Sequence, residues 1–597
     1  MRRSARAPSA AWPDAIDVED GSYDDKYEKH DAAAAASCSS DAAIQYSLLA
    51  LGLFTRYYSL LWPRQVVFDE VHFGKFVNGY ITGRYFFDIH PPLGKQLIAL
   101  VAWSAGYDGS QPFDHIGEVY RPHVDLFVLR AVPAFFGALL VPLTHRLVRR
   151  LGCSQPASLL AAGIVLLDGA ALVCSRLLVT DALMFFFELL QLYGMLLVDD
   201  APINSLSFHL RLALTGLAIG CAISIKWTAL ATMAMVGLHT IRALFIEALQ
   251  TASSTRSVVL SFFSRFAWLF LLPLTIYILS FVAHLWLLPY TGPGDQFHDL
   301  PFRCRLTFPP RGGSTGEPLH GCDDGNVEVL SLFGAILALN KRMLTANAGI
   351  RKQHSFGSGW LAWPLNSKPV FYWKLDLDTH EIYNQSWCRI YLAGNPVAWY
   401  LCLFGLVLVA LSRVGGFVFT YWRKPLGLLM GGSRRGLGLA NTKPMWQQQA
   451  LPLADAGTAE SNEAQAPAAG AAEAGGITEA SQLIESRQVW YGWLLLIGHL
   501  ISWVPFAWVH RVAFLYHYIP ALLISVLATA LAFDALTSRC KHPRIRDMCR
   551  VALASLLLAA ILASSLYFMP LYLGWPLHPD EFQARLWRLE HLTSSHP

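Results

Sequence analysis

The segment Phe68-Asp69-Glu70-Val71-His72-Phe73-Gly74-Lys75 sets two carboxylates side by side. Adjacent acids in a loop usually form a solvated face and do no chemistry. Here Phe68, Val71, Phe73 and Phe76 surround them and argue for an apolar setting. Partial burial raises a carboxylate's pKa and makes it a better base for an alcohol. Two chemistries follow: a base acting on a hydroxyl nucleophile, or a cation site. A second segment runs Phe86-Phe87-Asp88-Ile89-His90-Pro91-Pro92-Leu93-Gly94-Lys95. Two prolines before an apolar run suit the first turn of a helix, where missing amide hydrogens cost nothing. His90 and Lys95 then flank the start of that helix. A lone His before Pro-Pro is more often structural, but the whole string from His90 to Lys95 rarely arises by chance.

Further charges stand inside or at the edges of long apolar stretches: Arg56, Arg130, Arg176, Asp181, Lys226, Arg511 and His517. Each costs a few kcal/mol in a membrane and needs a reason. Snorkelling or a structural ion pair is an even bet for any one of them, and for Arg56 it is the favoured reading. Arg130, Arg176, Lys226, Arg511 and His517 nevertheless all fall near the same end of their stretches. Cations converging beside a carboxylate pair suit a membrane-embedded phosphate, whose oxygens Arg pairs bidentately. They also suit a departing phosphate as charge develops on it.

The elements that carry these residues are membrane spans. The chain has 597 residues, 54% hydrophobic and only 15% charged, where an ordinary globular protein carries about 25% charged residues. That is too little charge to cover several soluble domains, and it excludes a soluble enzyme, a disordered regulator and a disulfide-stapled secreted module. The net charge of +4 is too small to suggest a nucleic-acid partner. The ten cysteines show no metal-ligand spacing. Stretches of about 20 apolar residues, enough for one crossing, fall at 44–62, 124–145, 157–174, 178–198, 208–223, 227–242, 266–289, 397–421, 490–508, 512–534 and 550–570. The expected architecture is an all-α polytopic bundle of about eleven transmembrane helices.

Loop charge orients it. With a cytosolic N-terminus, alternate loops should be basic. Arg146, Arg149 and Arg150, then Arg242, Arg256 and Arg265, then Arg423, Lys424, Arg434 and Arg435, then Arg539, Lys541, Arg544, Arg546 and Arg550 fit that alternation. Segments 63–123 and 290–396 and the tail 571–597 then share the far, lumenal side. Cys304 and Cys322 lie together there and could pair; sequence alone leaves the connectivity open. The sequon at Asn384 falls on the same side and marks a site for N-glycosylation. Residues 1–43 read as a disordered cytosolic tail, with the first span an uncleaved anchor. Residues 424–488 are rich in Gly, Ala, Ser, Glu and Gln and read as a disordered cytosolic insert. Span 397–423 separates the lumenal loop from that insert, and 489–570 supplies the C-terminal spans.

Taken together, Phe68 to Lys75, His90 to Lys95, Gly292-Pro293-Gly294-Asp295, Gly394-Asn395-Pro396 and Tyr516-His517-Tyr518-Ile519-Pro520-Ala521 resemble the protein O-mannosyltransferases, polytopic enzymes of the GT-C type. Ser175-Arg176 to Asp181, Gly216 to Trp227 and His354 to Trp373 strengthen the likeness. It runs from about residue 46 to 575, broken by 300–350 and 424–488. The resemblance implies a GT-C bundle with a lumenal catalytic loop at 63–123. It implies transfer of mannose from dolichyl phosphate mannose to Ser or Thr hydroxyls of secretory and membrane proteins, at the endoplasmic reticulum membrane. The donor is β-linked and the product α-linked, so the implied reaction inverts the anomeric carbon.

Carried onto this chain, the resemblance makes Asp69 the candidate base and gives Glu70 the acceptor peptide, roles that could be exchanged. Arg130, Arg511 and His517 are candidates for the donor phosphate, with Arg176 and Lys226 beside them and His90, Lys95 and Asp181 in support. No metal or other cofactor is required, because the arginines can supply the positive charge. Partners implied are the lipid-linked donor, Ser/Thr-containing polypeptides, membrane lipid, and a second copy or homologue in a dimer. Two departures stand out. The β-trefoil MIR module of eukaryotic members is absent from 290–396, and the insert 424–488 replaces what is usually a brief connection. Outside the leading reading stand another polyprenyl-phosphate-sugar transferase, a non-catalytic partner subunit, and a transporter, the last disfavoured because the spans show no inverted repeat.

Overall fold

The computed structural model describes residues 24–250, 254–309, 319, 322, 327–350, 354–378, 385–429, 487–509 and 511–585. The N-terminal tail to residue 23, the sequon at Asn384 and most of the insert 424–488 lie outside them. The chain opens with α1 (Asp24–Tyr57) and then runs two short helices, α2 (Glu70–Thr82) and α3 (Leu93–Ser104). These pack on one another before the first long apolar helix, α4 (Leu126–Arg150). α2 stops at Gly83, whose φ of 69° is the left-handed cap that glycine adopts freely. α3 begins at Leu93, directly after Pro91-Pro92, where the two prolines predict a helix start.

α5 (Gln155–Leu167) and α6 (Gly169–Arg176) form one broken span bent by 55°. The break has a cause in Asp168. Its carboxylate caps α6 through the Ala171 N–H and also accepts the Asn395 N–H and the Trp399 indole N–H. The bundle continues through α7 (Asp181–Val198), α8 (Leu206–Ile223) and α9 (Leu230–Leu249). α10 (Thr255–Phe266) and α11 (Leu272–Leu287) make one long span through a π-helical turn at Ala267–Leu271. Gly216 of α8 packs against that turn, where a Cβ would stand 1.8 Å from the Trp268 carbonyl oxygen. Beyond α12 (Leu300–Arg303) and α13 (Leu332–Gly349) come α14 (Pro396–Leu429), α15 (487–503), α16 (Ile519–Thr537), α17 (Pro543–Leu573) and α18 (Pro579–Arg585).

Two expectations need correction. Among the described residues, nine helices are long and apolar enough to cross a membrane, or ten if the bent pair counts as one span, not eleven. The missing one is 44–62. α1 becomes apolar only near Ile44 and ends at Tyr57, which is shorter than the ~20 residues a crossing takes. The fold is mostly helical rather than all-α. In the interval 290–396, β1 (Val370–Asp378) and β2 (Gln385–Leu392) pair antiparallel, and β3 (Pro576–Leu577) adds to β2. Cys304 and Cys322 are disulfide-bonded, the pairing that spacing left open.

Segments 63–123, 290–396 and the chain after α17 meet on one face. The Tyr85 N–H donates to Tyr290 O (2.8 Å), Trp373 Nε1 donates to Gln65 Oε1 (2.8 Å), and Trp62 Nε1 donates to Gly574 O (2.9 Å). The candidate residues collect beneath this shared cover.

Candidate active site

The two adjacent acids have opposite environments. Glu70 and Arg130 form an ion pair in which neither side chain is exposed (0% each). Arg130 Nε donates to Glu70 Oε1 and Arg130 Nη2 to Glu70 Oε2, both at 2.8 Å. The carboxylate also accepts the Val67 and Leu178 N–H groups, each at 2.9 Å, and the Tyr120 hydroxyl at 3.3 Å. The rest of the guanidinium donates to the Leu60, Pro63 and Gln65 carbonyls. Neither group keeps a free position for substrate. Together they fasten the loop 60–70 to α4 and to the turn before α7.

Asp69 sits at the N-cap of α2, yet its side chain accepts no capping hydrogen bond. Among the described residues its carboxylate has no hydrogen-bond or ion-pair partner. The preceding Phe68 has φ of 43°, a backbone strain of order 1–3 kcal/mol for a bulky residue. Burial pushes the Asp69 carboxyl up to about 7. Lys226 opposes that shift, while Asp181 and Asp88 add to it. A carboxyl poised there takes up and releases a proton near neutrality, as a general base must.

Asp181 and Lys226, whose charges act on Asp69, line a small chamber of about 20 Å³ together with His90, Arg511, Tyr516 and His517 among others. Lys226 Nζ pairs with Asp181 Oδ1 at 2.7 Å and lies 5.6 Å from the Tyr516 ring centroid. Arg511 Nη2 donates to His517 Nε2 at 2.9 Å. That bond requires a neutral imidazole with its proton on Nδ1, within 3.1 Å of the Phe514 carbonyl oxygen. Burial holds the His90 imidazole well below its usual range, helped by the charges of Lys226, Lys95 and Arg511. Among the described residues the chamber thus presents one cation bound only to a neutral ring (Arg511), one cation balanced by a carboxylate (Lys226) and two uncharged imidazoles.

The chamber shares Thr228, Arg511 and Pro520 with a much larger cavity of about 810 Å³. The larger one is bounded by Leu230, Leu344, Ile501, Phe506 and Val509 among others, so its wall is chiefly apolar. The larger cavity suits a hydrocarbon tail, with the cation of Arg511 at the edge it shares with the chamber; the chamber itself has room for about one water.

The structure therefore divides the expected set. Asp69, His90, Asp181, Lys226, Arg511 and His517 come together. Arg130 and Arg176 do not join them. Arg176 donates to the Arg56, Tyr58 and Ser59 carbonyls, closing the end of α1. Arg56 binds the Val165 and Leu166 carbonyls at the end of α5, the structural role favoured for it. Lys95 turns back on its own loop, pairing with Asp88 and donating to the His90 and Pro91 carbonyls. Two side chains went unselected from sequence. Asp88 lies inside a motif inspected for its histidine and lysine. Tyr372 belongs to a strand distant in sequence, and no local pattern announces its contact with Phe68.

Comparison with known proteins finds the family model described as dolichyl-phosphate-mannose-protein mannosyltransferase over residues 46–289. A second model, the C-terminal four-transmembrane region of protein-O-mannosyltransferase, matches 332–429 and 473–591. Protein O-mannosyl-transferase 1 of Mus musculus is 34% identical over 293 residues, covering 48% of this chain and 39% of the mouse protein. Dolichyl-phosphate-mannose–protein mannosyltransferase 1 of Saccharomyces cerevisiae is 35% identical over 259 residues, covering 43% of this chain and 32% of its own. The chain thus aligns with well under half the length of these relatives. The solved Pmt1-Pmt2 complex of S. cerevisiae bound to the sugar donor superposes with a TM-score of 0.71 at 20% identity, covering 92% of both chains. That likeness establishes the fold.

The ion pair yields a first prediction. Arg130→Met leaves Glu70 charged, buried and short of its partner, a loss of about 3–5 kcal/mol. The protein should show a clearly lower thermal midpoint in detergent, and Glu70→Gln added to Arg130→Met should recover part of the loss. An unchanged midpoint in Arg130→Met would show that the pair is not what fastens the loop.

Proposed function

This chain belongs to the protein O-mannosyltransferase family, and we propose that it moves mannose from dolichyl phosphate mannose to Ser or Thr hydroxyls of polypeptides, with inversion at the anomeric carbon. The observation that carries this reading is Asp69, a carboxyl without a partner among the described residues and poised near 7, acted on by Lys226 and Asp181 of a charged chamber that borders an apolar cavity. In the proposed reaction Asp69 accepts the hydroxyl proton as the acceptor oxygen attacks the anomeric carbon. The bond from that carbon to the phosphate oxygen breaks, and the electron pair leaves with the phosphate. Arg511 and Lys226 stabilise the charge that develops there. Asp181 fixes Lys226 in place, and the neutral His517 orients Arg511. The lipid tail occupies the apolar cavity. Glu70, first given the acceptor, instead braces the base through Arg130.

The same reading extends to placement. Loop charge puts the site face in the lumen of the endoplasmic reticulum and the N-terminus and insert 424–488 in the cytosol. That alternation needs an eleventh crossing at 44–62, made by the apolar end of α1 together with the turn that follows it. A second copy or a homologue is the proposed partner in the membrane, and acceptor polypeptides approach from the lumenal side.

Membranes containing the chain should move labelled mannose from dolichyl phosphate mannose to a Ser/Thr-rich peptide. Asp69→Asn should lower kcat by at least ~10²-fold, the low end for a lost general base. Arg511→Met should raise KM for the donor while leaving KM for the peptide near its starting value. Transfer from another polyprenyl-phosphate sugar in a donor panel, with none from mannose, would replace this reading by the related one. Full turnover in Asp69→Asn would remove the base.

The pH profile gives a separate check. The base must be ionised, so kcat/KM should rise with pH through about 7. Because Lys226 pulls the Asp69 carboxyl down, Lys226→Met should move that acid limb to higher pH. A limb that stays in place or moves down in this variant would break the link between Asp69 and the rate.

A further inference from the structure

The lumenal hairpin reaches back to the turn that carries Asp69. The Tyr372 ring of β1 lies flat on the Phe68 ring, centroids 4.1 Å apart and planes 8° apart. Phe514 meets Phe68 edge-on at 6.3 Å. Tyr372 is only 5% exposed and stands where the β1–β2 register shifts between Phe371 and Trp373. Trp373 is tied to Gln65 of the same loop. Phe68 holds φ of 43°, a conformation that persists only where the surroundings fix it. The backbone on either side is pinned, because the Val67 N–H donates to the Glu70 carboxylate and the Glu70 N–H to the Val67 carbonyl. The ring stack supplies the restraint on the side chain between those two points.

We propose that Tyr372 is a positioning residue for the reaction: its ring clamps Phe68 and so fixes both the direction of the Asp69 carboxylate and its shelter from water. The inference rests on the reading of Asp69 as the base. It makes the hairpin of 290–396 part of the machinery rather than a cover over it. The groups acting on the Asp69 carboxylate are Lys226 after α8, Asp181 at the start of α7 and Asp88 before α3. The Tyr372 and Tyr516 phenols and the Cys174 thiol feel its charge in turn. Replacing the ring of Tyr372 removes none of the three charged groups. A change in the acid limb of the rate therefore reports how well the carboxylate is covered.

The test compares Tyr372→Phe, Tyr372→Leu and Phe68→Leu in the membrane transfer assay, with pH profiles and separate kcat and KM. Tyr372→Phe keeps the ring and should stay within about 3-fold of the unaltered chain. Tyr372→Leu loses the stack and should lower kcat by about 10- to 10²-fold, the effect of a small misplacement of a reacting group. Its acid limb should move down by about one pH unit as water reaches the carboxylate, with KM for the donor little changed. Phe68→Leu removes the stack from the other side, leaves β1 intact and should reproduce both effects, which keeps the test decisive if Tyr372→Leu fails to fold. Phe68→Gly in the Tyr372→Leu background should restore part of kcat, since glycine adopts positive φ without support.

An acid limb that stays put in both Tyr372→Leu and Phe68→Leu would overturn the proposal, as would a loss in Tyr372→Phe equal to that in Tyr372→Leu. Asp69→Asn in the same assay separates the two claims. If that variant turns over normally, the base is misassigned. If it is inactive while the ring variants behave like the unaltered chain, only the clamp is wrong.

Discussion

A carboxylate and a guanidinium that neither solvent nor substrate can reach hold the site loop to the bundle. The Glu70–Arg130 pair is sealed at 0% exposure on both sides, and burying two charges is costly unless nearly every polar atom is matched. Here the matching is close to complete. Glu70 takes two N–H groups and a phenol besides its partner, and Arg130 reaches three carbonyls besides its own. Those contacts come from separate parts of the chain: the stretch from Leu60 to Val67, Tyr120 before α4, and Leu178 in the turn before α7. The pair therefore acts as a fastening point, and the loop cannot shift without uncovering it.

That constraint separates the neighbouring acids. Residues one apart at a helix start point in different directions, so fixing Glu70 inward leaves Asp69 outside that pair, within the field of Lys226 and Asp181. One carboxylate is paired and saturated; the other has no partner among the described residues and is raised to about 7. Dividing two carboxyls by environment is a general way to obtain acid–base chemistry near neutrality. The tethered loop also carries a strained Phe68, and a strain of that kind endures only where packing outweighs it.

Much of this was legible in the sequence. Apolar length and loop charge locate the spans and their shared faces, because membrane burial demands about 20 apolar residues in sequence and tolerates few charges. Asp69, Lys226, Arg511 and His517 stand out for the same reason: a charge beside an apolar run needs a cause. The rule cannot tell which cause applies. Arg130, Arg176 and Arg511 look alike as letters, yet the first two are consumed by carbonyls and a carboxylate, and the third, among the described residues, meets only a neutral imidazole. That difference depends on which distant backbone groups lie nearby. The same limit hid Tyr372 and the sheet. Strands in a long loop between spans give no membrane signal, and their pairing with residue 577 is remote in the chain. The shortfall of α1 is local by contrast: its helix ends at Tyr57 although apolar residues continue to Trp62, because the chain turns there toward Arg130.

The two neighbouring cavities explain why cations are sparse where a phosphate would have to be held. A headgroup drawn from the membrane brings its own apolar tail, and burying that tail favours binding in proportion to its area. The large cavity can therefore supply affinity, which leaves the chamber free to supply charge only where it develops. A site crowded with unpaired arginines would bind the ground-state phosphate tightly and gain nothing in the transition state. Lys226 already neutralised by Asp181, and Arg511 resting on an uncharged ring, are poised differently. Each gains most when negative charge grows beside it, and each is held by a partner that costs little to share.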